Sequence, residues 1–94
     1  LYDGVYASAD WLALIVLKNM RRLGIAVPED TQLIGHDGLR WMNYGDYLVS
    51  SIKQPVREMA EKSVELLKKK IDGEEIDILT ILPVEFVDGG TTRP

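Results

Sequence analysis

Gln32-Leu33-Ile34-Gly35-His36-Asp37-Gly38 is an apolar run that stops at an aspartate set between two glycines. A strand that ends this way is a binding-site signature, because ligands of open α/β sheets collect beyond the carboxyl ends of the strands. A carboxylate there can hold hydroxyl or amino groups of a small molecule. The flanking glycines let the backbone turn sharply and keep the carboxylate accessible. The competing reading of Asp37 is a turn aspartate that bonds its own backbone, a common arrangement before glycine.

Upstream of this run, Asp3-Gly4 precedes Val5-Tyr6-Ala7-Ser8, a short buried strand, and Asp10 suits the N-cap of the next segment. A helix is expected from about Trp11 to Leu23, with Arg21 and Arg22 at its carbonyl end and Gly24 as the left-handed stop. Its first two turns, Trp11 to Leu17, are apolar all the way round, so two surfaces must cover it. One is its own sheet; the other is a second subunit or further parts of the same chain. Pro28 shapes a compact connection, and a second strand runs from Thr31 to Gly35. Strand, helix and strand with a short return make the βαβ unit of a parallel sheet.

Leu39 to Tyr47 carries Trp41, Met42, Tyr44 and Tyr47 without a period and reads as a short helix or loop. Val49 to Ile52 reads as a third short strand. A second helix begins with Pro55 at N1, its stripe of Val56, Met59, Ala60, Ser63, Val64, Leu67 and Ile71 predicting one dry face. Glu58 to Lys62 and Glu65 to Lys69 are i,i+4 pairs, and Lys68-Lys69-Lys70 is a solvated helix end rather than a nucleic-acid patch. Beyond Gly73, Asp77 to Leu82 and Val84 to Val87 are expected to form one or two terminal strands, with Pro83 demanding an edge or a bend. Asp88-Gly89-Gly90 then reads as a turn and Thr91 to Pro94 as a tail.

Composition excludes several functions. The 94 residues suffice for one small domain, and a net charge of −4 offers no general attraction to nucleic acid. Absence of cysteine removes disulfides and thiolate metal sites and fits a reducing compartment, so the expected location is cytoplasmic. No apolar run reaches membrane-spanning length. The chain opens on Leu1 inside a strand-like motif and reads as a fragment. Its single histidine, His36, lacks a nucleophile-elbow serine, and carboxylates alone show no calcium-loop spacing, so neither catalysis nor a metal is expected. Gly35-x-x-Gly38 is too short for a dinucleotide fingerprint, no phosphate loop is present, and no cofactor is expected.

Five blocks, taken together, carry a family resemblance: Ala7 to Leu14, Leu23 to Asp30, Leu33 to Asp37, Ser50 to Pro55, and Leu82 to Val87. In this order and spacing the chain resembles the C-terminal part of LacI/GalR-type transcriptional regulators; periplasmic solute-binding proteins of the same fold are the alternative. The resemblance implies an α/β fold, a fragment of a two-subdomain core with an effector, sugar-like or nucleobase-like, in the cleft between subdomains. Residues 1–49 and 77–94 would belong mainly to the C-terminal subdomain, and 50–76 to the crossover and a helix of the N-terminal one. It further implies a homodimer that reaches operator DNA through an N-terminal helix-turn-helix upstream of Leu1. Asp37 matches an aspartate that contacts effector hydroxyls, and Gln54 a position that often lines the cleft. Ala9 stands where an asparagine contacting sugar is usual, His36 where tyrosine or phenylalanine is usual, and Tyr47 where proline is common. Leu14, Ile15, Lys18, Trp41 and Tyr44 would fall in the dimer interface.

Overall fold

The computed structural model describes residues 2–38 and 48–94. Its elements in order are β1 (Gly4–Tyr6), α1 (Asp10–Arg22), β2 (Gln32–Asp37), β3 (Ser50–Lys53), α2 (Val56–Ile71) and β4 (Glu85–Val87). The sheet order is β1-β2-β3-β4. β1 and β2 pair in parallel with Val5 opposite Leu33, β2 and β3 in parallel with Gly35 opposite Ser51, and β4 runs antiparallel to β3. The expected α/β class and its βαβ unit are present. Trp41, Tyr44 and Tyr47 lie outside the described residues.

By its contacts the chain divides into two units, Leu1–Gln54 with Glu85–Pro94, and Pro55–Val84. β3 is hydrogen-bonded between β2 and β4 and belongs to the sheet, so the first unit keeps the chain as far as Gln54.

In the first unit, α1 lies on one face of the sheet. Asp10, Ala13, Leu17 and Met20 recur at helical spacing and are the buried residues of α1. Ala13 and Leu17 form a small core with Ala7, Leu33 and Val49. Strand alternation turns Leu33 and Gly35 of β2 toward this core. A Cβ added to Gly35 would overlap Asp10 Oδ1 and crowd Ala13 Cβ, so glycine is what lets the helix sit this close. Asp10 is the first helical residue rather than the cap: Ala9 holds the extended cap position, its methyl offering no side-chain bond, and the Asp10 carboxylate instead accepts from Ser51. At the other end Gly24 adopts φ 79°, Gly24 N–H donates to Arg21 O (3.1 Å) and Ile25 N–H to Met20 O (2.9 Å). This pair of bonds is a Schellman stop.

β2 runs two residues beyond its expected end at Gly35, which places Asp37 within the strand instead of beyond it. The tail is part of the structure. Thr91 is 2% exposed and bridges two strands: Leu33 N–H donates to Thr91 O (2.9 Å), Thr91 Oγ1–H to Leu33 O (2.7 Å), and Ser50 N–H to Thr91 Oγ1 (2.8 Å). A threonine thus satisfies backbone groups at the amino ends of β2 and β3.

In the second unit, α2 starts one residue later than read. Pro55 is the cap residue rather than N1, and its carbonyl accepts from Met59 N–H (2.9 Å). Gly73, at φ 82°, closes the helix through bonds from Gly73 N–H to Lys70 O and Glu74 N–H to Lys69 O. Lys62 and Lys69 both pair with Glu65, at 3.5 and 3.4 Å, and hold its carboxyl below the ordinary carboxylate range. Lys62 thereby turns to Glu65 instead of Glu58. The expected dry face is not dry within these residues: Val56, Met59, Val64, Leu67 and Ile71 are all exposed. Asp77 to Leu82 forms no strand either, and only Glu85–Val87 pairs, immediately after Pro83 and Val84. A strand needs a partner backbone, and apolar pattern alone does not supply one.

Gly35→Ala is expected to cost about 1–3 kcal/mol through overpacking against Asp10 and Ala13, read as a lowered urea midpoint in the full-length protein. Gly24→Ala, with open space around it, loses only the smaller advantage of glycine at positive φ, on the order of 1 kcal/mol.

Candidate functional site

The carboxyl ends of β2 and β3 meet at a corner built from Asp37, Gly38, Ser51 and Gln54. Asp37 pairs with Lys53 in the ladder yet has φ 112°, in the region that favours glycine. A non-glycine residue persists there only where its neighbours over-determine it, and such positions concentrate at functional sites. Two bonds from one residue do so here: Gln54 N–H donates to Asp37 O (3.2 Å), and Gln54 Nε2 donates to Asp37 Oδ1 (2.8 Å). The next residue, Gly38, has φ 72°, and a Cβ there would overlap Lys53. Its N–H donates to Ser51 Oγ (3.0 Å), while Ser51 Oγ–H donates to Asp10 Oδ1 (2.6 Å).

A relay therefore runs from the corner's backbone, through a hydroxyl, to a carboxylate at the first turn of α1. Asp10 is 1% exposed and Ser51 is fully buried. A buried carboxylate is costly unless hydrogen-bonded, and the Ser51 hydroxyl meets part of that need. An acidic residue in the first helical turn is also favoured by the helix dipole. The corner is consequently tied both to its neighbouring strand and to the helix on the sheet.

The structure brings Asp37 and Gln54 into direct contact, as two residues assigned to one site require. His36 lies beside them on β2, half-buried, and is hydrogen-bonded through Nδ1 to the Tyr6 hydroxyl at 3.0 Å, the rings meeting edge to face at 6.2 Å and 87°. Ala9 is half-buried at the cap position of α1 and makes no side-chain cap bond. Tyr6, Ser51 and the buried role of Asp10 escape a linear reading, because Tyr6 meets His36 only through the parallel register of β1 and β2. Asp10 signals itself as a cap, and the serine that binds it lies 41 positions away.

Chemically the corner offers a fixed acceptor. Gln54 occupies Asp37 Oδ1, and among the described residues no hydrogen bond is made to Oδ2. A ligand hydroxyl or amine could donate to it. No triad assembles among the described residues, since Ser51 is paired with Asp10 and His36 with Tyr6. Nor does any group of three or more His, Cys, Asp or Glu among them suit a metal ion.

On α1, Trp11, Ile15, Lys18 and Arg22 are exposed and recur on the side away from the core, with Ile15 51% exposed. Leu14 is only partly accessible and packs against the core cluster, so the outward stripe runs through Trp11, Ile15 and Lys18. No helix among the described residues is long and apolar enough to cross a membrane.

Residues 2–92 match the model of the periplasmic binding protein-like domain. The chain is 36% identical over 88 residues to the sucrose operon repressor of Streptococcus mutans, covering 93% of this chain and 27% of that protein. It superposes with a TM-score of 0.81 and 30% identity on a periplasmic binding protein/LacI transcriptional regulator from Alkaliphilus metalliredigens complexed with D-xylulofuranose, covering 99% of this chain and 35% of that one. A LacI family transcriptional regulator from Enterococcus faecium with bound ribose gives 0.80 and 31%, covering 98% and 35%. The chain thus spans about a quarter to a third of the proteins it matches.

Ser51→Ala should cost about 1–3 kcal/mol in chemical denaturation, because it strips a hydrogen bond from a buried carboxylate. In the Asp10→Asn background the same substitution should cost less, a coupling that a double-mutant cycle measures.

Proposed function

This chain belongs to the periplasmic binding protein-like domain family, with LacI-type regulators as its relatives, and on that premise we propose that it is the effector-sensing part of a DNA-binding transcriptional regulator. The relatives are transcriptional repressors and regulators rather than enzymes. The effector is a small sugar-like or nucleobase-like molecule; the ribose and xylulofuranose bound by the two solved regulators favour a sugar. One observation carries the reading: a carboxylate at the end of a parallel strand, held in an unfavourable backbone conformation by Gln54 and half-buried.

In this proposal Asp37 anchors the effector, Ala9 is a small wall residue, and His36 adjoins the anchor. The two units correspond to parts of the two subdomains of a longer regulator, with the corner as one wall of the effector site. An effector that favours one arrangement of the subdomains shifts the population toward it, and the change reaches operator DNA through an N-terminal helix-turn-helix. The DNA contact falls to that module because this chain carries a net charge of −4. A cytoplasmic homodimer is the working form, with the Trp11, Ile15 and Lys18 stripe of α1 in its interface.

Asp37→Ala in the full-length protein should weaken D-ribose or sucrose binding about tenfold to a hundredfold, the scale of a hydrogen bond to a charged group. Calorimetry reads this directly, and unchanged affinity would refute the anchor. Ile15→Glu should shift a dimer to monomers in sedimentation without unfolding the domain; a dimer that persists removes α1 from the interface.

A further inference from the structure

We infer that Gln54 acts on the effector through Asp37, as the residue that positions its carboxylate, and not as a contact of its own. This rests on the reading of Asp37 as the anchor. Gln54 is the residue after β3 and sits half-buried, where its backbone N–H and its side-chain amide both reach the same aspartate. The two bonds grip the carbonyl and the carboxylate separately. Together they oppose two separate motions: the backbone rotation by which Asp37 would relax from φ 112°, and the side-chain rotation that would turn its carboxylate away.

The chemistry is directional. A side-chain amide nitrogen only donates, so its bond turns Oδ1 toward the protein. The remaining oxygen is held as an acceptor for ligand donors. An aspartate left to choose its own rotamer would have to be ordered at the moment of binding, and that ordering subtracts from affinity. Ser51 completes the arrangement by fixing Gly38 N–H, so both residues of the corner are pinned from β3 and the residue after it. Sequence proximity does not suggest the pairing, since 17 positions separate Gln54 from Asp37.

The two roles for Gln54 differ in how they combine with loss of Asp37. Calorimetric titration of the full-length protein with D-ribose and with sucrose, for the parent, Asp37→Ala, Gln54→Ala and the double variant, separates them. Circular dichroism checks that each variant is folded. Gln54→Ala is expected to weaken binding about tenfold, while the double variant binds no worse than Asp37→Ala. Gln54→Glu supplies a second measurement and replaces Gln54→Ala in the cycle if that variant fails to fold. It sets two carboxylates face to face at neutral pH, and its affinity should recover as the pH falls and a shared proton restores a donor toward Asp37. A Gln54→Ala loss that adds in full to that of Asp37→Ala overturns the inference while leaving Asp37 as anchor, as does a Gln54 variant of unchanged affinity. Binding of neither sugar by the parent, or unchanged affinity in Asp37→Ala, overturns the sugar-anchor reading and this inference together.

Discussion

The first unit depends on the seating of the Asp10 carboxylate against Gly35. At this point the amino end of α1 comes so close to β2 that no side chain fits between them, and the group placed there is a buried acid. Such an acid is tolerated because Ser51, from the neighbouring strand, donates to it. One contact thereby joins a helix and two strands. Because Ser51 also accepts from Gly38 N–H, the same hydroxyl that secures the helix sets the backbone of the corner beyond β2.

This coupling explains how a small apolar core can support a defined site. Ala7, Ala13, Leu17, Leu33 and Val49 are few and mostly modest in size, and their burial alone specifies orientation weakly. Satisfied buried polar groups add direction, since a hydroxyl or carboxylate shifted by an ångström forfeits its partner. Thr91 does the same at the opposite end of β2 and β3, where its backbone and side chain serve Leu33 and Ser50 at once. The polar clasps at the two ends of the strands hold the sheet between them.

Much of the architecture is legible from local signals. Gly24 and Gly73 mark helix ends that close by the same pair of carbonyl bonds, and the succession strand, helix, strand with a short return announces a parallel sheet. The aspartate between Gly35 and Gly38 identifies the corner. Elsewhere the same signals mislead. Asp10 has the type and place of a cap, yet its carboxylate serves the interior. The apolar stripe of α2 and the run from Asp77 to Leu82 have the composition of covered surfaces, but a pattern specifies that a face needs covering and says nothing of what covers it. In a chain that spans about a quarter to a third of its relatives, such faces are expected to stay open.

Features set by neighbours along the chain were legible in the sequence: the two helices and their glycine stops, the strand-helix-strand succession of the βαβ unit, and the likeness to LacI-type regulators. Relations that depend on register were decided only by the tertiary structure. Pairing β2 with β3 puts Gln54 against Asp37 and Ser51 against Asp10, pairing β1 with β2 brings Tyr6 to His36, and the closing tail delivers Thr91 between strands. The physical reason is range. Caps, turns and helical stripes are settled over a few residues, whereas a hydrogen bond between residues 17 or 41 positions apart exists only once a sheet has fixed which backbone lies beside which.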